Sequence, residues 1–365
     1  MRIAISNWRD LSHPKAGGAE VATDQLASAL STRGHHVTLL TSSHPGAPAA
    51  EDKNGYRIVR KGTELTCRFH ALIWLAQNRD GVDIAVDEVN TLPFLSRLVL
   101  GKNVVVWMHQ LAREVWLAEA PPVIGHIGYA LEFVMLSVYR RTNIVTISDS
   151  SAESFRRFGL RGTITVAEIE LRPAREHPSL PKLGRIGYVG RLAPSKRVDH
   201  IVRAFSIVRM VVPHAELAIV GTGSKKELRR LKRLSGALGV ADAVHFFGRI
   251  PIAERDELVQ TFDVLVMASF REGWGLVVSE AARFGVPSVV YPVPGLIDSV
   301  RDGRTGVVTA DQTPRALAES ILRLISDRPL RETLSRGAMQ YLARFDEDRF
   351  VGRFERVLQT LNGSH

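Results

Sequence analysis

The sequence predicts an α/β protein of two domains, each a parallel sheet with helices on both faces. Three observations carry that expectation. A chain of 365 residues exceeds what one hydrophobic core usually organises. In its first half, short β-branched apolar runs alternate with segments of helical periodicity, as parallel strands joined by crossovers require. The alternation then begins again after a proline-bearing stretch.

In the first half, strand-like runs fall at 3–6, 37–41, 56–59, 84–86, 104–108, 144–147 and 164–166. Helical patterns at 20–33, 69–77 and 150–158 lie between several of them. The first strand and helix are joined by NWRDLSHPKAGGAE, in which Gly17 and Gly18 directly precede the helix. Two glycines there let the helix's free N–H groups approach an anion closely. Asn7, Trp8, Arg9 and Asp10 fall at the carboxyl end of a strand, where open α/β sheets bind ligands. His109 follows the strand VVVWM at another such end, and Ser148 reads as a turn or helix-cap residue.

Residues 169–184 carry three prolines and mixed charges in place of a periodic pattern, which marks a linker. The second half opens with a strand at 185–189, followed by GRLAPSKRVDHIVRAF. Gly190, Arg191 and Lys196 therefore sit on a strand-to-helix loop, with two cations flanking a helix start. A strand at 217–220 leads into Gly221-Thr222-Gly223, a weak signal without a full dinucleotide fingerprint. The basic run at 225–233 reads as the solvated face of the next helix, and 244–247 ends in Gly248-Arg249-Ile250.

The most informative stretch is FREGWGLVVSEAA, 270–282, after the buried-strand run VLVMAS. Leu276, Val277, Ala281 and Phe284 recur at helical spacing, so a helix starts near Gly275. A strand, a glycine-bearing turn and a helix start present backbone N–H groups to an anionic ligand. Glu272 falls on the loop, and Glu280 about one and a half turns into the helix. One carboxylate can face the reacting end of a ligand while the other holds its far end. Helical segments at 314–341 and 347–361 complete the chain.

The composition, 45% hydrophobic and 24% charged, is that of a soluble globular protein. One cysteine, Cys67, excludes an internal disulfide framework and a thiolate metal cluster, and fits a reducing cytoplasm. No signal peptide is expected, because the chain enters a strand at residue 2. The most apolar stretch, 123–139, contains His126 and Glu132 and reads as a core or interfacial helix, not a span. A net charge of +10 suits nucleotide phosphates or an anionic membrane surface at the inner face of the membrane. No motif supports nucleic acid.

The 270–282 segment resembles the Glu-x7-Glu signature of family 4 glycosyltransferases, the retaining enzymes of the GT-B fold, and the rest of the chain agrees in order and spacing. The resemblance implies two Rossmann-like α/β/α domains facing a central cleft. Residues 1–168 form the acceptor domain, 169–184 the linker and 185–345 the nucleotide-sugar donor domain, with the C-terminal helix 346–362 crossing back to the first domain near Arg344, Phe345 and Asp346. It further implies that His109 contacts the transferred sugar, and that the Gly17-Gly18 loop faces the donor diphosphate. Gly190, Arg191 and Lys196 clamp the diphosphate. Gly221 and the Arg249-Ile250 pair lie along the nucleotide. Glu272 lies beside the donor sugar, the backbone of Gly273, Trp274, Gly275 and Leu276 faces the ligand, and Glu280 binds the ribose hydroxyls. His109, Glu272, Arg191 and Lys196 are the residues expected to act in catalysis.

The implied reaction moves a sugar from a nucleotide diphosphate sugar, UDP before GDP, to a glycan, lipid-linked or small-molecule acceptor. It needs no cofactor and no metal. Negative charge grows on the departing diphosphate, where cations and backbone donors stabilise it. A sugar phosphorylase is disfavoured by length and by the lack of a recognisable pyridoxal-phosphate lysine segment. A non-catalytic sugar-nucleotide-binding subunit of a glycan-assembly complex is the alternative from another class. The sequence departs from the family at Ala167-Glu168-Ile169-Glu170, where relatives often carry Asn-Gly, and at Asp298, where they usually have Glu.

Overall fold

Residues 1–169, 184–345 and 347–363 are described by the computed structural model. They divide into two units, 1–113 with 126–169 and 347–363, and 114–125 with 184–345. Most of the linker at 169–184 and Asp346 lie outside the described residues.

The first unit is organised by β1 (Arg2–Ser6), whose side chains are buried from Ile3 onward. Helix α1 (Gly18–Thr32) follows and buries Ala22, Leu26, Ala27 and Leu30, one stripe of a helix surface. Then come β2 (His36–Thr41), β3 (Ala50–Lys53), β4 (Tyr56–Arg60), α2 (Cys67–Gln77), β5 (Ile84–Glu88), α3 (Arg97–Leu100) and β6 (Val104–Trp107). Helices α4 (Glu114–Glu119) and α5 (Pro122–Ser137) precede β7 (Asn143–Thr146), α6 (Asp149–Phe158) and β8 (Ile164–Val166). The sheet order is β3-β4-β2-β1-β5-β6-β7-β8. All neighbours are parallel except β3 and β4. That antiparallel pair turns at Asn54 (φ 52°) and Gly55 (φ 82°), the left-handed conformation that a two-residue hairpin demands. Both β5 and β6 are buried along their whole length, as central parallel strands should be.

The last helix of the chain completes this unit. Within Glu347–Asn362, Phe350, Val351, Phe354 and Leu358 are buried, and the rings of Phe350 and Phe354 lie 6.0 and 5.3 Å from that of Trp107 on β6. Arg353 Nη1 donates to the Val166 carbonyl at 2.9 Å and to Glu168 at 2.7 Å. The C-terminal helix thus crosses back onto the first sheet.

The second unit repeats the pattern with β9 (Arg185–Val189), α7 (Val198–Val211), β10 (Glu216–Val220), α8 (Lys225–Ala237), β11 (Val244–Gly248) and α9 (Ile252–Val259). It continues through β12 (Val264–Met267), α10 (Leu276–Ala282), β13 (Ser288–Val290), α11 (Leu296–Ser299), β14 (Gly306–Val308), α12 (Pro314–Ser326) and α13 (Arg328–Leu342). The sheet is parallel throughout, ordered β11-β10-β9-β12-β13-β14. Helix α4 belongs to this unit although its sequence lies in the first half. Among the described residues, no helix is long and apolar enough to cross a membrane.

Candidate functional site

The candidate donor residues of the second unit gather on loops at the carboxyl edge of its sheet, and backbone bonds tie those loops together. Gly190 N donates to the Val220 carbonyl (2.9 Å) and Leu192 N to that of Thr222 (2.8 Å). The approach is so close that a Cβ on Gly221 would lie 1.9 Å from the Gly190 carbonyl oxygen, and Gly221 has φ 133°. Only glycine fits there. Gly221 N in turn donates to the Gly248 carbonyl (2.8 Å), which holds exposed Arg249 and half-buried Ile250 at the same edge.

Glu272 is the centre of the arrangement. Its Oε1 accepts from Lys196 Nζ at 2.5 Å and from Ser269 Oγ at 2.6 Å. Its backbone N–H donates to the Pro294 carbonyl (3.1 Å), and Phe270 N donates to that of Ser195 (2.9 Å). Loops after β9, β12 and β13 are thereby locked around one ion pair, buried but for about a tenth of the Glu272 side chain and a sixth of that of Lys196. The αL residue Arg197 (φ 47°) stacks its guanidinium 3.5 Å over the Phe270 ring and braces the same loop.

Gly275, with φ 81°, caps α10 at the start the sequence predicts. The indole of Trp274 is buried, donates to Ser279 Oγ at 2.9 Å and meets the Phe345 ring edge-on at 5.3 Å. Trp274 therefore anchors the turn through its side chain, and its backbone is the part that can face a ligand, together with those of Gly273 and Leu276. Glu280 is half-buried and pairs with Arg255 Nη1 at 3.1 Å. Arg191 is mostly exposed and reaches Glu119 of α4 at 3.5 Å, while Ser195 Oγ donates to that same carboxylate. Glu119 thus gathers the Arg191 guanidinium and the Ser195 hydroxyl of the loop after β9.

In the first unit, Gly17 is the N-cap of α1, and its N–H donates to Glu20 Oε2 at 2.6 Å. Glu20 also accepts from Trp8 Nε1 (3.1 Å). Burial pushes the Glu20 carboxyl up, and the nearby charge of Glu88 adds to the rise. Glu88, at the carboxyl end of β5, is buried and accepts from Asn7 Nδ2 (2.7 Å) and Thr23 Oγ1. His109 Nε2 lies 3.1 Å from its Oε1. The buried His109 Nδ1 has no hydrogen-bond partner among the described residues. Ser148 caps α6, accepting from Ser151 N at 3.3 Å.

The 9–18 loop is tied to the rest of the unit by ion pairs. Glu64 accepts from Arg9 Nη2 (2.6 Å) and Lys15 Nζ (2.9 Å), and buried Asp10 from Arg60 Nε (2.6 Å). Burial alone would raise the Glu64 carboxyl, but the bonds from Arg9 and Lys15 outweigh it and hold it at about 2. Its folded value is below the unfolded one. The stabilisation is therefore complete above the ordinary Glu range and is lost as pH falls from about 4.5 through about 2. With solvent screening, Glu64→Gln should cost roughly 1–2 kcal/mol at neutral pH and much less near pH 2, where Glu64 is half protonated. Chemical denaturation of both forms across that range checks it, and a gap that does not narrow with acid refutes it.

Sequence reading missed Glu88, Ser269, Glu119 and Arg255 as members of these clusters. For Glu88 a signal existed, because Asp87-Glu88 directly follows the buried run Ile84-Ala85-Val86. Ser269 is local to Glu272, three residues ahead of it on the same loop, whereas Glu119 and Arg255 carry no local signal, since each meets its partner only through the fold.

A family model described as Glycosyl transferases group 1 matches residues 174–341, and one described as Glycosyltransferase Family 4 matches residues 16–168. A D-inositol 3-phosphate glycosyltransferase of Salinispora arenicola is 35% identical over 186 residues, 49% of this chain and 42% of the relative. That of Thermobispora bispora is 34% identical over 304 residues, 78% of this chain and 66% of the relative. The match thus spans less than half the length of the first of these relatives. A sucrose-phosphate synthase from Thermosynechococcus elongatus superposes with a TM-score of 0.82 at 21% identity over 100% of both chains. HepE from Anabaena, solved with UDP-glucose, gives 0.75 at 17% identity over 99% of this chain and 100% of its own. These two likenesses concern the fold. Family matches along both halves, on two Rossmann-like sheets with a returning C-terminal helix, place the protein: the chain belongs to the family 4 glycosyltransferases of the GT-B fold.

Proposed function

We propose that this chain is a retaining hexosyltransferase that moves a sugar from a nucleotide diphosphate sugar to an acceptor, without a metal, in the cytoplasm. The observation that supports this reading best is the Lys196–Glu272–Ser269 cluster, with Arg191 on the same β9 loop. A cation held beside a carboxylate on glycine-bearing loops can take up charge as a diphosphate departs while the carboxylate meets sugar hydroxyls. Glu280 would hold the ribose, Gly221, Arg249 and Ile250 would lie along the nucleotide, and His109 would contact the sugar. Retention follows from attack on the face the leaving phosphate vacates, with that phosphate accepting the acceptor's proton. UDP is placed before GDP, in keeping with the UDP-glucose in HepE. The names of the curated relatives make inositol phosphates the first acceptors to try, beside glycans and lipid-linked sugars.

A panel of UDP- and GDP-sugars tested by thermal shift, then by release of nucleotide diphosphate with each acceptor, examines the reading. A UDP-sugar should raise the melting temperature, and chelator should leave turnover unchanged. A β-linked product from an α-donor would overturn retention. Donor binding without any turnover would favour the non-catalytic subunit.

A further inference from the structure

Helix α5 carries apolar residues on both sides: Leu136 is buried in the core of the first unit, and a second apolar set faces outward. From His126 to its end at Ser137 it carries one charged residue, Glu132, and that carboxylate is buried, accepting from Ala112 N (2.7 Å) and Arg113 N (2.8 Å). The opposite face bears Ile127, Leu131 and Val134, with Phe133 on its flank, each 47–60% exposed. Positions 127, 131 and 134 are neighbours on one helical stripe. A surface helix normally presents charge to water and buries its apolar stripe. Exposed aliphatic residues are unremarkable singly, but a contiguous patch marks an interaction surface.

The border of the patch is basic. Exposed Arg140 and Arg141 follow the helix, and the Arg140 carbonyl accepts from Arg161 N (2.6 Å), which brings exposed Arg161 alongside. Phe133 packs edge-on at 5.7 Å against Phe158, next to exposed Arg156 and Arg157 at the end of α6. One acid stands among these five arginines: Glu153, 2.9 Å from Arg157 and 3.8 Å from Arg156. The other basic surface, on α8, is of a different kind. Its Leu228, Leu231 and Leu234 pack into the core of the second unit, so its lysines and arginines border no apolar stripe of that helix.

We propose that the outer face of α5 docks on an anionic lipid surface, with Ile127, Leu131, Phe133 and Val134 in the headgroup–acyl boundary and the arginines on lipid phosphates. An apolar stripe beside a cationic border is the pattern of interfacial helices. A second copy is a poorer occupant, because each copy would bring the same cationic cluster to the shared face. The proposal is independent of the donor reaction.

The test is co-sedimentation of the full chain with phosphatidylcholine vesicles, with and without phosphatidylglycerol. Wild type should bind the anionic vesicles and weaken with salt. Arg140→Ala with Arg141→Ala should lower partitioning roughly 30-fold. Leu131→Asp with Val134→Asp should abolish binding while leaving the melting temperature and, under the reading above, donor binding unchanged. Equal binding of wild type and both variants would overturn the proposal. So would absence of binding to anionic vesicles, or a wild-type dimer that Leu131→Asp with Val134→Asp converts to monomer.

Discussion

Lys196→Ala is expected to lower sugar transfer by about 10²–10³-fold, the usual cost of removing one donor aimed at charge that develops in the transition state. Affinity for free nucleotide diphosphate should fall less, because the ammonium matters most as the diphosphate departs. The variant also leaves the buried Glu272 carboxylate without its partner at 2.5 Å, although Ser269 Oγ continues to donate to it. Part of the loss is therefore shared with Glu272→Ala. A double-mutant cycle should find the two changes less than additive, with a coupling of about 1–3 kcal/mol. Single-turnover rates for the four forms decide the matter. Full activity in Lys196→Ala removes the residue from the reaction, and strict additivity removes the ion pair from the mechanism. Arg191→Ala should cost less. Its side chain is largely exposed and reaches Glu119 at only 3.5 Å.

Glu280→Ala should weaken free UDP and an intact UDP-sugar by a similar factor, about ten- to a hundred-fold, by removing an acceptor for the ribose hydroxyls. This carboxylate is held by Arg255 at 3.1 Å. Being only half-buried, it can keep both partners when a ribose binds, since a carboxylate has lone pairs for several donors. Arg255→Ala should accordingly have a smaller effect than Glu280→Ala. Glu272→Ala should leave free UDP nearly untouched and act on sugar transfer. Calorimetry with both ligands on the three variants separates these roles. Loss of nucleotide affinity in Glu272→Ala alone would reverse the orientation of the donor.

Much of this was legible in the sequence because it rests on local chemistry. Continuous β-branched apolar runs marked the central strands, buried on both faces, and period-3.6 apolar patterns the long helices, buried on one. The αL cap at Gly275, the N-cap at Gly17 and the Ser148 cap each follow from what a residue can do with its own neighbouring backbone. Candidate residues at the carboxyl ends of strands were readable for the same reason, since a parallel sheet puts every strand-to-helix loop at one edge. The hairpin at Asn54-Gly55 was equally local and was overlooked.

Only the tertiary structure decided which charges meet. Lys196 and Glu272 are 76 residues apart, and Ser195 and Glu119 likewise. Glu88 and His109 come together because β5 and β6 are neighbours in register, with Glu88 opposite Trp107. The grouping of α4 with the second unit could not be read from a helix whose local pattern is indifferent to its partner. The same holds for α5. Its apolar residues suggested a core or interfacial helix, and only the fold shows which face is which: Leu136 and the Glu132 carboxylate, held by the Ala112 and Arg113 amides, lie inward, while Ile127, Leu131 and Val134 lie outward. Hydrophobicity sets how much surface a segment would bury, but the tertiary contacts select which face does so.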